Sequence, residues 1–227
     1  MANSLPIVAI DGPTGSGKGT ISRQLARTLG WHLLDSGALY RLVALAAVEE
    51  GISIDDSVRL VKTAVTMDIG FSSAEDEERV FFNGIDVTAQ IRTEKHGGVA
   101  SKLASQPAVR SALLERQRAF VQAPGLVADG RDMGSVVFPG ALLKVFLTAT
   151  PDERAKRRYN QLKEKGIDVS LPALSREIAE RDERDVNRKV APLKPAEGAR
   201  ILDSTGMTPS QVVARLRAWL EVGDGSA

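Results

Sequence analysis

Residues 7–20, IVAIDGPTGSGKGT, constrain the fold more tightly than any other stretch of the chain. Ile7, Val8, Ala9 and Ile10 form an apolar run without polar interruption, the pattern of a strand buried on both faces in a parallel sheet. Gly12, Gly15, Gly17 and Gly19 then strip the turn of Cβ atoms, and Ile21, Leu25 and Leu29 recur at helical spacing until Gly30 stops the helix. Strand, glycine turn and helix in this order let backbone N–H groups and a helix N-terminus converge on an anion. Gly12 to Lys18 fits G-x-x-x-x-G-K, in which the amides cradle phosphates and the lysine reaches the outer ones. Gly12, Pro13, Thr14, Gly15, Ser16, Gly17, Lys18, Gly19 and Thr20 are therefore candidates to hold the phosphates of a nucleotide. The general pattern has a hydroxyl directly after the lysine. Here Gly19 stands in that place, which moves the candidate metal-side hydroxyl to Thr20.

The remainder of the chain narrows the class. With 227 residues and 43% hydrophobic content it can bury one sizeable core, or a core and a small insert. Thirty Lys and Arg against 29 Asp and Glu give a formal charge of +1, no basis for a nucleic-acid polymer or an anionic membrane as partner. Cysteine is absent, which excludes a disulfide framework and a thiolate metal site. The first strand starts within a few residues of Met1 and no apolar run approaches the ~20 residues of a membrane span, so a cytoplasmic protein is expected.

Strand and helix patterns alternate. Strands are expected at 31–34, 125–128, 142–149 and 201–203, and helices at 38–48, 57–66, 98–104 and 107–121. Between them, 67–71, 79–84 and 85–87 read as short antiparallel strands, with an acidic link at 74–78 and a turn at Asn83-Gly84. About half of 151–194 is charged. Thr150-Pro151-Asp152-Glu153 is a capping box that opens a helix carrying Arg154, Arg157 and Arg158, and a second helix places Arg181, Asp185 and Arg188 on one stripe. The tail from Val222 is expected to fray. The fold class that follows is α/β: a three-layer parallel sheet of about five strands with helices on both faces, a small antiparallel β insert and a helical lid. By this reading 1–66, 93–150 and 195–227 form the core, 67–92 the insert, and 151–194 the lid and acceptor-contact segment.

A phosphate loop by itself serves kinases, switch GTPases and mechanical ATPases alike. The Asn-Lys-x-Asp stretch of guanine-reading GTPases is absent: Asn187-Arg188-Lys189-Val190 lacks the aspartate. Asp35, Ser36, Tyr40, Arg41, Asp129, Arg131 and Asp132 instead gather polar chemistry at strand ends, as an acceptor site would. The charged 151–194 segment is also compatible with a solvated, ion-paired hairpin, Asp129 with a cap on the turn at Gly130, Asp132 with an ion pair to Arg131, and Ser36 with an N-cap. His32 and His96 have no partner at catalytic spacing and read as structural. A small-molecule kinase of the same architecture, such as one for shikimate, or a monophosphate kinase with a different base, and a nucleotide-binding switch or scaffold without turnover are the competing readings.

GPTGSGKGT, HLLDSGALYR, VADGRDMG, DERAKRR, ERDERDVNR and the small insert together resemble the bacterial cytidylate kinases over nearly the whole chain. The Gly19-Thr20 order is typical of these monophosphate kinases. The resemblance implies transfer of the γ-phosphoryl group of ATP to CMP or dCMP with Mg²⁺, by a monomer. It implies Lys18, Arg131, Arg158 and Arg188 as catalytic residues, and Arg154, Arg157 and Arg158 closing over ATP. It further implies Ser36, Arg41, Arg131 and Arg188 around the acceptor phosphate, Tyr40, Arg181 and Asp185 near the sugar, and Ser101, Arg110 and Asp132 facing cytosine. Asp129, through water, and Thr20 would hold the metal.

Overall fold

The computed structural model describes residues 5–72, 79–164 and 166–223. The chain divides into two compact units, Met1–Asp35 with Arg118–Ala227, and Ser36–Gln117. The expected acidic link 74–78 lies outside the described residues.

The first unit is built on strands β1 (Ile7–Asp11), β2 (His32–Asp35) and, later in the chain, three more strands of the same sheet. Its first helix, α1 (Lys18–Leu29), follows the glycine turn directly and ends on Gly30 in the left-handed conformation (φ 65°). The second unit starts with α2 (Ser36–Glu49) and α3 (Ser57–Thr66). Asp56 caps α3 by accepting from the Arg59 N–H at 3.0 Å. Next come β3 (Ile69–Ser72), β4 (Arg79–Phe82) and β5 (Ile85–Asp86), an antiparallel sheet in the order β3-β4-β5, joined across Asn83 and Gly84, both at positive φ. This is the expected insert, and it shares its unit with α4 (Thr88–Ile91), α5 (Glu94–Leu103) and α6 (Pro107–Arg118). Helix α5 begins four residues before the expected start. Thr93 caps it, and it runs through Gly97 before reaching Gly98, where the sequence pattern starts it. A Cβ on Gly97 would lie 3.2 Å from the Arg41 guanidinium, a tight contact that the glycine avoids.

The chain then returns to the first unit with β6 (Leu126–Gly130), a single π-helical turn at Met133–Val137, β7 (Leu143–Thr148), α7 (Pro151–Glu164), α8 (Leu171–Val186), β8 (Arg200–Asp203) and α9 (Pro209–Gly223). Helix α9 includes Val222 and Gly223, the first two residues of the tail expected to fray, and the rest of that tail lies outside the described residues. The five strands are parallel, as expected, and lie in the order β2-β6-β1-β7-β8. Strand β1 is central and buried nearly throughout, whereas β7 alternates. Val8, Ile10, Val127, Val145 and Leu147 project onto one face, where Ile21 and Leu25 of α1 and Val212 and Leu216 of α9 cover them.

One contact fixes where the glycine turn leaves the sheet. Gly12 has φ +155°, and a Cβ built on it would lie 2.0 Å from the Leu147 carbonyl oxygen in β7. Gly12→Ala is expected to cost about 1–3 kcal/mol of stability through this backbone clash, a drop of several degrees in melting temperature. Thermal denaturation followed by circular dichroism checks it, and an unchanged midpoint would show that β7 does not bear on the turn.

Candidate active site

The parallel register puts Asp35, Asp129 and Asp11 at the carboxyl edge of three adjacent strands: Asp35 lies opposite Asp129, and Asp11 opposite Gly130. In an open α/β sheet this edge is where ligands bind. Burial pushes the Asp129 carboxyl up to about 7; Lys18 opposes the shift, and Asp35 and Asp11 add to it. Asp129 lies inside β6 and does not cap a turn. A Cβ on Gly19 would sit 3.4 Å from Asp129 Oδ2, so the carboxylate adjoins the residue after Lys18.

Lys18, at the first position of α1, is 6% exposed. Its ammonium donates to the Pro13 carbonyl at 2.8 Å and to Ser16 Oγ at 3.4 Å. Burial and the neighbouring Arg131 charge pull its pKa down to about 7, against the pull of Asp129 and Asp11. This cation is desolvated and partly confined by positive charge, so an added anion is its natural counter-charge.

Thr14 joins the loop to the DGRD segment, since its hydroxyl accepts from Arg131 Nη2 at 3.0 Å. Arg131 Nε donates to Asp185 Oδ2 at 2.9 Å, and Arg188 pairs with the other oxygen of the same carboxylate. Asp185 is 1% exposed. Burial alone would raise its pKa, but Arg131, Arg188 and Arg181 outweigh that and hold it below the usual carboxylate value. Arg131 and Arg188, two of the three arginines expected at the acceptor phosphate, and Asp185, expected near the sugar, thus form one connected cluster, with the Arg181 charge acting on the same carboxylate. Arg188 lies beyond the end of α8 and still reaches back to Asp185.

The three arginines of α7 take separate positions. Arg154 is buried, donating to the carbonyls of Ala149 at 3.1 Å and Thr14 at 3.0 Å. Arg157 donates to the Ser16 carbonyl at 3.2 Å and to Ser204 Oγ at 3.0 Å. Arg158 donates to Gln161 Oε1 at 2.7 Å. Two of the three therefore brace the phosphate loop through its carbonyls.

Two residues of this unit carry no sequence motif. Asp11 is buried, and its two oxygens accept from the N–H groups of Met133 and Gly134, each at 2.8 Å. It clamps the π-helical turn that follows Arg131 and Asp132. Burial raises its pKa to about 6 against those two amide bonds. Asp182 on α8 accepts from the Thr14 N–H at 3.2 Å and pairs with Arg154.

The other expected residues belong to the second unit. Ser36 is the first residue of α2, and its hydroxyl donates to Gln117 Oε1 at 2.8 Å. Arg110, buried, donates to the Ala104 carbonyl at 3.3 Å and reaches the Tyr40 hydroxyl at 3.5 Å. Ser101 is buried on α5. Arg41 donates to the Ile91 carbonyl at 2.7 Å and the Thr93 carbonyl at 3.3 Å. The two histidines have structural partners: His32 Nε2 lies 2.9 Å from the Ala123 carbonyl, and His96 Nδ1 lies 2.8 Å from both Thr93 Oγ1 and the Gln90 carbonyl.

Among the described residues no group of three or more His, Cys, Asp and Glu side chains could by itself enclose a metal. Mg²⁺ keeps most of its waters and takes one or two carboxylates together with substrate phosphates. Asp129, buried beside Asp35 at the strand edge, and the exposed Thr20 fit that limited donor set. No described helix is long and apolar enough to cross a membrane.

The family model for cytidylate kinase matches residues 8–221. A cytidylate kinase of Photobacterium profundum is 53% identical over 221 residues, covering 97% of both chains. One of Pseudomonas aeruginosa is 58% identical over 215 residues, covering 94% of both.

Proposed function

The chain belongs to the cytidylate kinase family, and from that membership we propose that it transfers the γ-phosphoryl group of ATP to CMP or dCMP, giving ADP and CDP or dCDP. The observation that carries the reading is the bridge at Thr14, where the phosphate loop holding Lys18 meets Arg131 and, through it, Asp185 and Arg188. Groups suited to a triphosphate donor and a monophosphate acceptor thereby belong to one connected cluster.

The transferred group leaves the β-phosphate oxygen and bonds to a phosphate oxygen of the acceptor, a step that needs positioning and charge stabilisation and no strong base. Residues Gly12 to Thr20 hold the donor phosphates, with Lys18 on the outer ones and Arg154, Arg157 and Arg158 along their flank. Ser36, Arg41, Arg131 and Arg188 are assigned to the acceptor phosphate, and Tyr40, Arg181 and Asp185 to the sugar. Asp129, through water, and Thr20 are assigned to Mg²⁺, which when bound offsets the negative charge of the phosphates. Residues 151–194 act as the lid and acceptor-contact segment, and 67–92 belong to the monophosphate-binding region. The protein works as a cytoplasmic monomer on free nucleotides.

Cytosine offers an N4 amino donor and acceptors at N3 and O2, so a carboxylate and a guanidinium read it in opposite senses; Asp132 and Arg110, with Ser101, are assigned to it. Uracil reverses the groups at positions 4 and 3. Asp132→Asn is expected to lower kcat/KM for CMP about 10-fold or more and to raise the UMP to CMP ratio, because the amide can turn its NH₂ toward O4. An equal loss on both nucleotides would remove Asp132 from base reading. An ADP-release assay across CMP, dCMP, UMP, AMP and shikimate tests the function as a whole. Turnover on CMP and dCMP is expected; equal turnover on shikimate, or none on any acceptor, would overturn it.

A further inference from the structure

Asp182 reaches from α8 into the phosphate loop. One of its oxygens accepts from the Thr14 backbone N–H at 3.2 Å, and the other pairs with Arg154 Nη1. That guanidinium also donates to the Thr14 and Ala149 carbonyls, so it stays beside the loop whatever Asp182 does. The pair is largely withdrawn from water, with side-chain exposures of 9% for Arg154 and 18% for Asp182.

Both partners of this carboxylate, a phosphate-loop amide and an arginine fixed next to it, are groups that bind anions. A carboxylate between them satisfies both, as a phosphate oxygen would. A nucleotide phosphate approaching the same pair meets a negative charge already in place and must displace it. We propose that Asp182 is a built-in anion of the donor subsite, which occupies the Thr14 N–H and Arg154 in the free protein and gives them up to the nucleotide. Donor affinity is thereby set below what the loop and Arg154 would reach alone. The inference rests on the assignment of Thr14 and Arg154 to the donor phosphates.

The test is calorimetric titration with the β,γ-imido analogue of ATP in the presence of Mg²⁺, comparing wild type with Asp182→Asn, which is isosteric, and Asp182→Ser. Loss of the competing charge should lower the Kd of the analogue about 3- to 10-fold in both variants, with KM for ATP falling alongside and KM for CMP unmoved. A residue that only supported α8 would lower the melting temperature without improving affinity. A Kd equal to or above that of wild type in either folded variant overturns the proposal. Lys18→Ala, titrated in parallel, separates the two levels. If it binds the analogue as wild type does, the donor-site assignment itself fails. If it binds weakly while the Asp182 variants stay at the wild-type Kd, only the role of Asp182 fails.

Discussion

Replacing Lys18 by alanine is expected to reduce kcat at saturating ATP and CMP by at least about 10²–10³-fold while the fold persists. The ammonium is bonded only within its own loop, to Pro13 and Ser16, among the contacts described for it, so its loss takes no packing from the sheet. Its burial is an electrostatic cost in the free protein, visible as a pKa drawn down to about 7. Removing it relieves that cost and also takes away the charge that most opposes the rise of the Asp129 pKa. The melting temperature should therefore change little, whereas turnover collapses because negative charge developing on the transferred group loses the cation of the phosphate loop. Steady-state kinetics and a thermal melt on the same preparation check both halves. Activity within a few-fold of wild type would remove the loop from the reaction, and a large loss of stability would make Lys18 a structural residue.

What the sequence disclosed and what it concealed divide along the range of the contacts. The strand, glycine loop and α1 are legible because their signals lie within a few residues: an apolar run, glycines at positive φ, helical spacing and a stop at Gly30. The β3-β4-β5 insert is legible for the same reason, through alternation and the Asn83-Gly84 turn. The sequence pattern starts α5 at Gly98, four residues late, because the paired glycines lower helix propensity and obscure the Thr93 cap; the Arg41 guanidinium, 3.2 Å from where a Gly97 Cβ would stand, comes from a residue 56 positions earlier. Arg154 and Arg157 read as a solvated or mobile cationic face because nothing near them in sequence names the carbonyls of Thr14 and Ser16 as their partners. Asp185 read as a sugar-facing residue paired with Arg181, and the fold adds Arg131 and Arg188 to its partners. Asp182 and Asp11 left no signal at all, for a single carboxylate on a helix or at a strand end specifies no partner until the fold brings one.

Asp11 is where that silence has the largest consequence for stability. It ends β1, immediately before Gly12, and its carboxylate receives the N–H groups of Met133 and Gly134 from a segment more than 120 positions away. The residue thus ties the start of the phosphate loop to the turn that follows Arg131 and Asp132. That turn is π-helical, its Phe138 N–H reaching the Met133 carbonyl at 2.7 Å, a wide winding that rarely persists without outside support. Asp11→Ala leaves two buried amides without an acceptor, at about 1–3 kcal/mol each, so a loss of roughly 2–6 kcal/mol is expected, and near the upper end the variant will be mostly unfolded at growth temperature. Asp11→Asn is the informative partner. Its one amide oxygen can serve one N–H while its NH₂ opposes the other, so about half of the loss should remain. Because the released segment carries Arg131 and Asp132, the folded Asn variant should lose CMP efficiency about 10-fold or more while its KM for ATP stays within about 2-fold of wild type. Chemical denaturation measures the first effect and kinetics on the folded variant the second. If Asp11→Asn is destabilised but uses CMP with an unchanged KM and kcat, the clamp stabilises the unit without aiming the acceptor residues.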